Sequence, residues 1–125
     1  MEIQLNPAEI GKEMESGIDF ILEGEWSEGK QEAAIAFEEA FVNVCNYAYQ
    51  GIEKSYILAI IQKEPSRIEM DFWDEGVYYD PTAVPLKEIE EGQIGGHGIR
   101  LMRAYCEMTY RRVDGKNHLH LTKHL

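Results

Sequence analysis

The sequence is poor in basic residues, in cysteine and in long apolar runs. Its 12 Lys and Arg against 23 Asp and Glu give a net charge of −11. Such a chain repels nucleic-acid phosphates, so direct DNA or RNA binding is not expected. The longest clean apolar run, residues 57–61, is too short to span a bilayer. No signal peptide is expected, because the chain opens on an acidic, strand-like stretch, and the simplest interpretation is a cytoplasmic protein without membrane attachment.

The two cysteines, Cys45 and Cys106, show no CxxC spacing that would indicate a metal or redox site. Both fall on apolar helix faces, where free cysteine behaves as a small buried hydrophobe. With 125 residues, 44% of them hydrophobic, the chain is long enough for one core. A single domain over residues 1–125 is therefore predicted.

The hydrophobic periodicity predicts three helices and five strands. A helix over residues 7–23 is expected after a cap at Asn6, and a second over 27–50 between Ser27 and Gly51. A third helix is expected over 99–106. The strands are placed at 2–5, 55–62, 67–73, 107–113 and 117–123, and a short helix at 86–91 lies within a long loop, 74–95. The fold class predicted is α+β: a two-layer α/β sandwich with a mainly antiparallel mixed sheet and helices on one face.

Glu39 and Asn43 lie four residues apart on the second helix and so share one face. A helical glutamate is ordinarily a solvated surface residue. Here the neighbours Ala40 and Phe41 must be buried, so the polar pair points from a half-buried helix. The amide oxygen is a hard ligand suited to Mg²⁺, and the carboxylate can accept a proton from a nearby nucleophile.

Asp74 and Gly76 follow the strand at 67–73. The ordinary explanation of Asp-x-Gly is a β-turn. The functional explanation is a buried carboxylate that accepts a hydrogen bond from an exocyclic amine such as that of adenine. Gly76 would then let the base approach the backbone closely.

A glycine run directly precedes the third helix: Gly95-Gly96-His97-Gly98. It could be a flexible hinge, but exposed amides at a helix N-terminus also bind phosphate well. No GxxxxGK run is present, which argues against a P-loop, and the glycines come too late for a dinucleotide-binding βαβ unit. His97 is expected to meet a nucleotide or a partner protein rather than a metal.

His118 and His120 alternate on the last predicted strand and so share one face. Together they could bind a metal. A metal site is not expected, because the sequence places no third ligand with them.

Three segments together resemble the N, G1 and G2 boxes of the GHKL ATPases: Glu39-Ala40-Phe41-Val42-Asn43, Asp74-Glu75-Gly76 with Asp80-Pro81, and Ile94-Gly95-Gly96-His97-Gly98-Ile99. Within that superfamily the sequence is most similar to the bacterial anti-sigma-factor serine kinases. The segments Tyr110-Arg111-Arg112, Asp114-Gly115-Lys116-Asn117 and Leu121-Thr122-Lys123 are similar to their last two strands. The resemblance implies the Bergerat ATP-binding fold.

The resemblance also implies an activity. Such kinases bind Mg-ATP and transfer the γ-phosphate to a serine of a STAS-domain anti-anti-sigma protein. In another state they hold a sigma factor inactive, and they commonly dimerise. Carried over, Glu39 is the catalytic base and Asn43 the Mg²⁺ ligand. The implied nucleotide-binding set is Asn43, Tyr47, Asp74, Gly76, Gly95, Gly96, His97, Gly98 and Ile99, with residues 81–94 as the lid.

Four positions depart from the family pattern. Tyr47 replaces a frequent histidine, Tyr78 replaces a glycine, Glu107 replaces an aspartate, and the lid carries Lys87 but no arginine. A fixed positive charge in the lid normally stabilises the transferring phosphoryl group. Two alternatives therefore stay open: a nucleotide-binding module that acts by sequestering its partner without phosphoryl transfer, and an interaction protein with a decayed pocket.

Overall fold

A computed structural model describes residues 1–6, 11–49, 56–85 and 98–125. Three α-helices and five β-strands are found there, and α2 continues into one π-helical turn, Val44–Ala48. In chain order the elements are β1 Glu2–Leu5, α1 Lys12–Leu22, α2 Glu28–Asn43, β2 Ile57–Glu64, β3 Arg67–Asp74, α3 Gly98–Tyr105, β4 Glu107–Val113 and β5 Lys116–His124. The predicted short helix at 86–91 lies outside the described residues.

The five strands form one sheet in the order β1-β2-β3-β5-β4. Every pairing between the described strands is antiparallel. Strand β3 lies at the centre and alternates strictly, with Ile68, Met70 and Phe72 buried on the inner face. The α+β sandwich expected from the sequence is thereby confirmed, and β1 is the edge strand that the alternation of residues 2–5 predicted.

The helices cover the inner face of the sheet and enclose the core. Phe37 of α2 packs on Phe72 of β3, with ring centroids 5.5 Å apart. Gly17 of α1 lies so close to Phe37 that a methyl group in its place would be 2.6 Å from the ring. Burying each such large apolar side chain contributes about 1.5–3 kcal/mol to the free energy of unfolding. The outer face of the sheet carries polar and titratable side chains instead.

Two of the predicted helix ends differ from those observed. Helix α1 begins at Lys12, after Gly11 with φ 156°, so residues 7–23 do not form one continuous helix; residues 7–10 themselves lie outside the described part. Ser27 caps α2 as expected, because its Oγ accepts the amide of Lys30 at 3.2 Å. The α-helical geometry of α2 ends at Asn43 rather than near residue 50, and the predicted cap Gly51 is not among the described residues.

Two antiparallel hairpins join neighbouring strands. Residues 65–66 form the turn between β2 and β3, and Asp114 and Gly115 form the turn between β4 and β5 with φ of 50° and 76°. Positive φ at both central residues is the geometry that the twist of a two-residue hairpin requires. Both cysteines are buried and no disulfide joins them, and burial raises the pKa of the Cys106 thiol to about 11.

No helix in the described part of the chain combines the length and the hydrophobicity that a membrane crossing requires.

Candidate functional site

The first contact of the site joins α2 to the start of α3. A methyl group placed on Gly98 would lie 2.7 Å from Oε2 of Glu39 and 3.8 Å from its Cβ. The carboxylate of Glu39 is therefore packed directly against the first residue of α3. The carboxylate can lie this close only because Gly98 has no side chain. We call this pair the Glu39–Gly98 contact.

The second contact joins the end of α2 to the loop after β3. The last carbonyls of a helix have no partner inside the helix. Here the π-helical turn presents the carbonyl of Ala48 to the amide of Val77, at 2.8 Å. A methyl group on Gly76 would lie 2.4 Å from that same carbonyl oxygen. Only glycine fits at this position, because the group it meets is backbone.

Asp74 ends β3 as a buried carboxylate. Its Oδ1 accepts the amide of Gly76 and the side-chain Nδ2 of Asn117, both at 2.9 Å. The residue is 4% exposed. Burial raises the pKa of Asp74, and the hydrogen bonds from Asn117 and Gly76 and the charge of Arg112 act in the opposite direction. Both of these bonds end on Oδ1 rather than on Oδ2.

Asn117, the residue paired with Asp74 across β3 and β5, fixes the loop that carries Gly76. Its Nδ2 also donates to the Val77 carbonyl at 2.8 Å, and its Oδ1 accepts Arg112 at 2.9 Å and the Tyr110 hydroxyl. These bonds use both donors and both acceptor positions of the amide, so its orientation is determined. We call Asp74, Gly76, Arg112 and Asn117 the Asp74 network.

Arg112 completes that network from β4. The same Nη1 that bonds Asn117 donates to the Gly76 carbonyl at 2.9 Å. Sequence reasoning assigned no role to Arg112 or Asn117. The Asp114-Gly115 turn in the sequence places Asn117 at the start of β5. Its position opposite Asp74, at the end of β3, follows from the pairing of β3 with β5.

Asn43, one turn beyond Glu39, is 6% exposed and hydrogen-bonds to the hydroxyl of Tyr79. Burial raises the pKa of Tyr79, and the bond from Asn43 lowers it. When the amide nitrogen donates to Tyr79, the carbonyl oxygen of Asn43 is the atom that remains for a cation. The Tyr79 ring stacks on Tyr47, with centroids 5.2 Å apart, so Tyr47 also lies beside this pair.

Arg103 of α3 reaches the first residues of the segment expected to form the lid. Its Nη2 donates to the carbonyls of Pro81 and Thr82 at 2.9 Å and of Val84 at 2.6 Å. The lid itself carries no arginine, as the sequence showed. The structure places a guanidinium at its base from another element, which sequence reasoning did not foresee.

The remaining sequence-predicted residues divide into two groups. Ile99 is partly buried and packs against the core, so its side chain supports α3. Gly95, Gly96 and His97, with Lys87 and most of the lid, lie outside the described residues. Within the described residues, Glu39 meets Gly98, Asn43 lies one turn further along α2 beside Tyr79, and Asp74 and Gly76 lie at the C-terminal end of that helix.

Comparison with known proteins agrees with this arrangement. A family model described as "Histidine kinase-like ATPase domain" matches residues 23–123. The chain belongs to this family. It is also 35% identical, over 92 residues, to the serine/threonine-protein kinase BtrW of Bordetella bronchiseptica. The alignment covers 70% of this chain and 65% of BtrW, so the chain spans slightly less than two thirds of that relative.

A histidine kinase-like ATPase domain binds nucleotide, and two features of this one suit a nucleotide. Gly76 donates its amide to the buried carboxylate of Asp74 and lies against the Ala48 backbone, so this carboxylate is held at the end of β3. Gly98 is the first described residue of α3 and lies beside the carboxylate of Glu39. The ATPase family assignment and the GHKL resemblance noted in the sequence therefore agree.

Proposed function

We propose that this protein is an ATP-dependent serine kinase of the anti-sigma-factor type, acting in the cytoplasm on a STAS-domain partner. The observation that carries the proposal is the Glu39–Gly98 contact. It puts the only carboxylate that the sequence singled out as a base beside the helix start at which the phosphates are expected. The kinase name of the 35% identical relative supports the same reaction class.

The proposed reaction is in-line transfer of the γ-phosphoryl group of ATP to a seryl oxygen of the partner, in which the bond from the γ-phosphorus to the β–γ bridging oxygen breaks and ADP leaves. ATP supplies that group and its magnesium offsets the charge of the phosphates. Glu39 orients the seryl hydroxyl and accepts its proton as the new P–O bond forms. The Glu39–Gly98 contact brings this carboxylate to the start of α3, where the seryl hydroxyl would approach.

Adenine recognition is assigned to the Asp74 network. Oδ2 of Asp74 would accept the exocyclic amine, because Oδ1 already accepts Gly76 and Asn117. An acceptor fixed in this way favours adenine over guanine, which offers a carbonyl at the same place. Gly76 lies under the base, and Gly95, Gly96, His97 and Gly98 are assigned to the phosphates.

Asn43 is the proposed magnesium ligand, through its carbonyl oxygen. Its hydrogen bond to Tyr79, which stacks on Tyr47, orients the amide. A neutral oxygen ligand suits Mg²⁺, which keeps several waters and takes its other ligands from the phosphates. This assignment gives Tyr47 a supporting role in place of the histidine that is frequent in the family.

The proposed partners are proteins. A STAS-domain anti-anti-sigma protein is the substrate, and a sigma factor is the protein held inactive in the alternative state, with a homodimer as the assembly. The net charge of −11 favours partners with basic surfaces and disfavours direct contact with nucleic acid.

The test is a transfer assay with labelled ATP, magnesium and the STAS protein encoded nearest to this gene. Wild type is expected to label a partner serine. Glu39→Gln keeps the size and hydrogen bonding of the side chain but removes the base, and should lower the transfer rate by about 10²–10⁴-fold. Glu38→Gln is the matched control, because Glu38 is the exposed neighbour on the same helix.

Two outcomes would contradict the proposal. Equal labelling by wild type and the Glu39→Gln variant would remove Glu39 from the mechanism. ATP binding by calorimetry without any labelled serine would favour a module that sequesters its partner, and no heat with Mg-ATP or Mg-ADP would favour an interaction protein with a decayed pocket.

A further inference from the structure

A second cluster of chemically active side chains lies on the outer face of the sheet, away from the helices. Oδ1 of Asp71 on β3 is 2.6 Å from Nε2 of His118 and 2.7 Å from Nδ1 of His120 on β5. One potential ligand atom from each of the three residues lies within 4.8 Å of the others. The sequence paired the two histidines but placed no third ligand with them. Asp71 is that ligand, brought in by the pairing of β3 with β5.

The cluster is rigidly held. Asp71 pairs directly with His120 across the central strands, so the register of the sheet fixes both positions. The Trp73 ring stacks on His118 with centroids 4.0 Å apart and planes 6° apart. The Oγ1 of Thr122 lies 3.1 Å from the second ring nitrogen of His120. The side chains of His118, Asp71 and His120 are 11%, 19% and 27% exposed, so an ion can enter from the His120 side.

We propose that Asp71, His118 and His120 form a binding site for a divalent transition metal, zinc being the probe of choice. Two imidazoles and one carboxylate are a ligand set that zinc accepts, with a fourth position left for water or another ligand. Imidazole suits zinc, copper and nickel, whereas magnesium prefers oxygen ligands. This site is therefore chemically distinct from the oxygen-based magnesium site proposed at Asn43.

Binding requires a small rearrangement. Ligand atoms of a tetrahedral zinc ion are about 3.3 Å apart, given Zn–N and Zn–O distances of about 2.0–2.1 Å. The hydrogen-bonded atoms of the cluster must therefore separate by about 0.7 Å, within reach of side-chain rotation on a fixed sheet. The ion then takes the place of the two ring protons that now point at Asp71.

Arg111 opposes that change. Its Nε donates to Nδ1 of His118 at 2.9 Å, and arginine has no acceptor atom. A neutral His118 therefore carries its proton on Nε2, the nitrogen that faces Asp71. For Nε2 to bind zinc, the ring proton must move to Nδ1, and Arg111, which is exposed, must release that atom. Arg111 thus acts as an internal competitor of the metal.

The experiment is zinc titration of the untagged full chain without nucleotide, by calorimetry, near pH 7.5. Wild type should bind one equivalent, and magnesium at the same concentration should give no heat. The variants Asp71→Asn and His120→Ala should each weaken zinc binding by at least about tenfold. Arg111→Gln should bind zinc more tightly than wild type. In a Trp26→Phe background, where Trp73 is the only tryptophan, zinc should change the emission, because Trp73 stacks on His118.

His124→Ala is the matched control, since His124 lies on the same strand and face but pairs with Glu107 instead. It should bind zinc as wild type does. Absence of zinc heat in wild type, or equal affinity in wild type and Asp71→Asn, would overturn the proposal, and weaker binding by Arg111→Gln would overturn the competitor role. Circular-dichroism melts of each variant separate lost binding from lost folding. None of these readouts uses ATP, so the outcome is independent of the kinase assay.

Discussion

The Asp74 network and the Glu39–Gly98 contact differ in the atoms that surround their glycines. Gly76 is backed by the carbonyl of Ala48, which is fixed in the π-helical turn after α2. Gly98 is backed by the tip of the Glu39 side chain, which can rotate. Asn117 and Arg112 brace the first region with side-chain hydrogen bonds, and the second brings a side chain of α2 against the backbone of α3. The proposed base-binding side is thus rigid and the proposed phosphate side adjustable.

That difference suits the chemistry proposed for each side. Recognition of a base needs an acceptor whose position does not change, because discrimination comes from one hydrogen bond in a fixed plane. Proton acceptance from a seryl hydroxyl needs a carboxylate that can follow the oxygen as the bond forms. Gly76 therefore supports a fixed acceptor, whereas Gly98 lies beside a carboxylate that is proposed to move during the reaction.

Gly76→Ala should have the largest effect. The added methyl would meet Ala48 backbone at 2.4 Å and 2.7 Å, so the loop or the helix end must move. Overpacking of this kind lowers the free energy of unfolding by about 1–3 kcal/mol. Urea denaturation measures it, and calorimetry with ATP should show binding lost at the same time. Unchanged stability would mean that the loop is as adjustable as the other side.

Asp74→Asn should have an intermediate effect, mainly on ligand affinity. The new amide oxygen can still accept Gly76 and Asn117, but its nitrogen faces the amine of adenine, so ATP affinity should fall by about tenfold, or about 1.4 kcal/mol. The matched measurement is the affinity for GTP, because the guanine carbonyl can accept a hydrogen bond from the new amide. A loss of ATP affinity that merely follows a loss of folding would contradict this assignment.

The pH dependence of stability gives a further check on Asp74. Burial raises its pKa above the ordinary 3.8, so the folded protein holds that proton more firmly than the unfolded chain does. The stabilising contribution is complete below pH 3.8 and is lost as the pH rises through the raised pKa. The Asp74→Asn variant has no such loss. Its melting temperature should equal or exceed that of wild type at pH 7. The difference between the two melting temperatures should become smaller as the pH falls towards 4.

Gly98→Ala should have the smallest effect on folding. The methyl meets only Oε2 of Glu39 at 2.7 Å, and alanine favours a helix over glycine, so the free energy of unfolding should change by less than about 1 kcal/mol. Displacing the carboxylate should still slow phosphoryl transfer, by up to about tenfold. Gly29→Ala is the control, because its methyl also meets a movable side chain, that of Leu125, away from the site.

The periodic parts of the fold were predictable from the sequence, and the irregular parts were not. Strict alternation in residues 67–73 and the Asp114-Gly115 dipeptide determine β3 and the last hairpin almost to the residue. The change from α to π geometry after Asn43 was not predicted, and the turn contacts a distant segment, because the carbonyl of Ala48 accepts the amide of Val77. The start of α1 was misplaced because Gly11 takes a positive φ that the apolar spacing does not reveal.

The site shows the same division. Glu39, Asn43, Asp74 and Gly76 were identified because each belongs to a short motif that can be read along the chain. Arg112, Asn117 and Arg103 act through contacts with residues 19 to 43 positions away, so their roles follow only from the pairing of strands and the packing of helices. The role of Asp71 was not predicted for the same reason, because the alternation of β3 indicates only that its side chain faces outward.

The order of side chains along β5 constrains the length of the hairpin before it. Asn117 and His118 are consecutive, and they serve opposite surfaces of the sheet. Inserting or deleting one residue between β4 and β5 would exchange every inward and outward position of β5 at once. The turn can therefore accept other residue types that adopt a positive φ. A variant with a three-residue turn should lose both the Asp74 network and the Asp71–His118–His120 cluster. A loop grafted at this hairpin should therefore keep two residues in the turn.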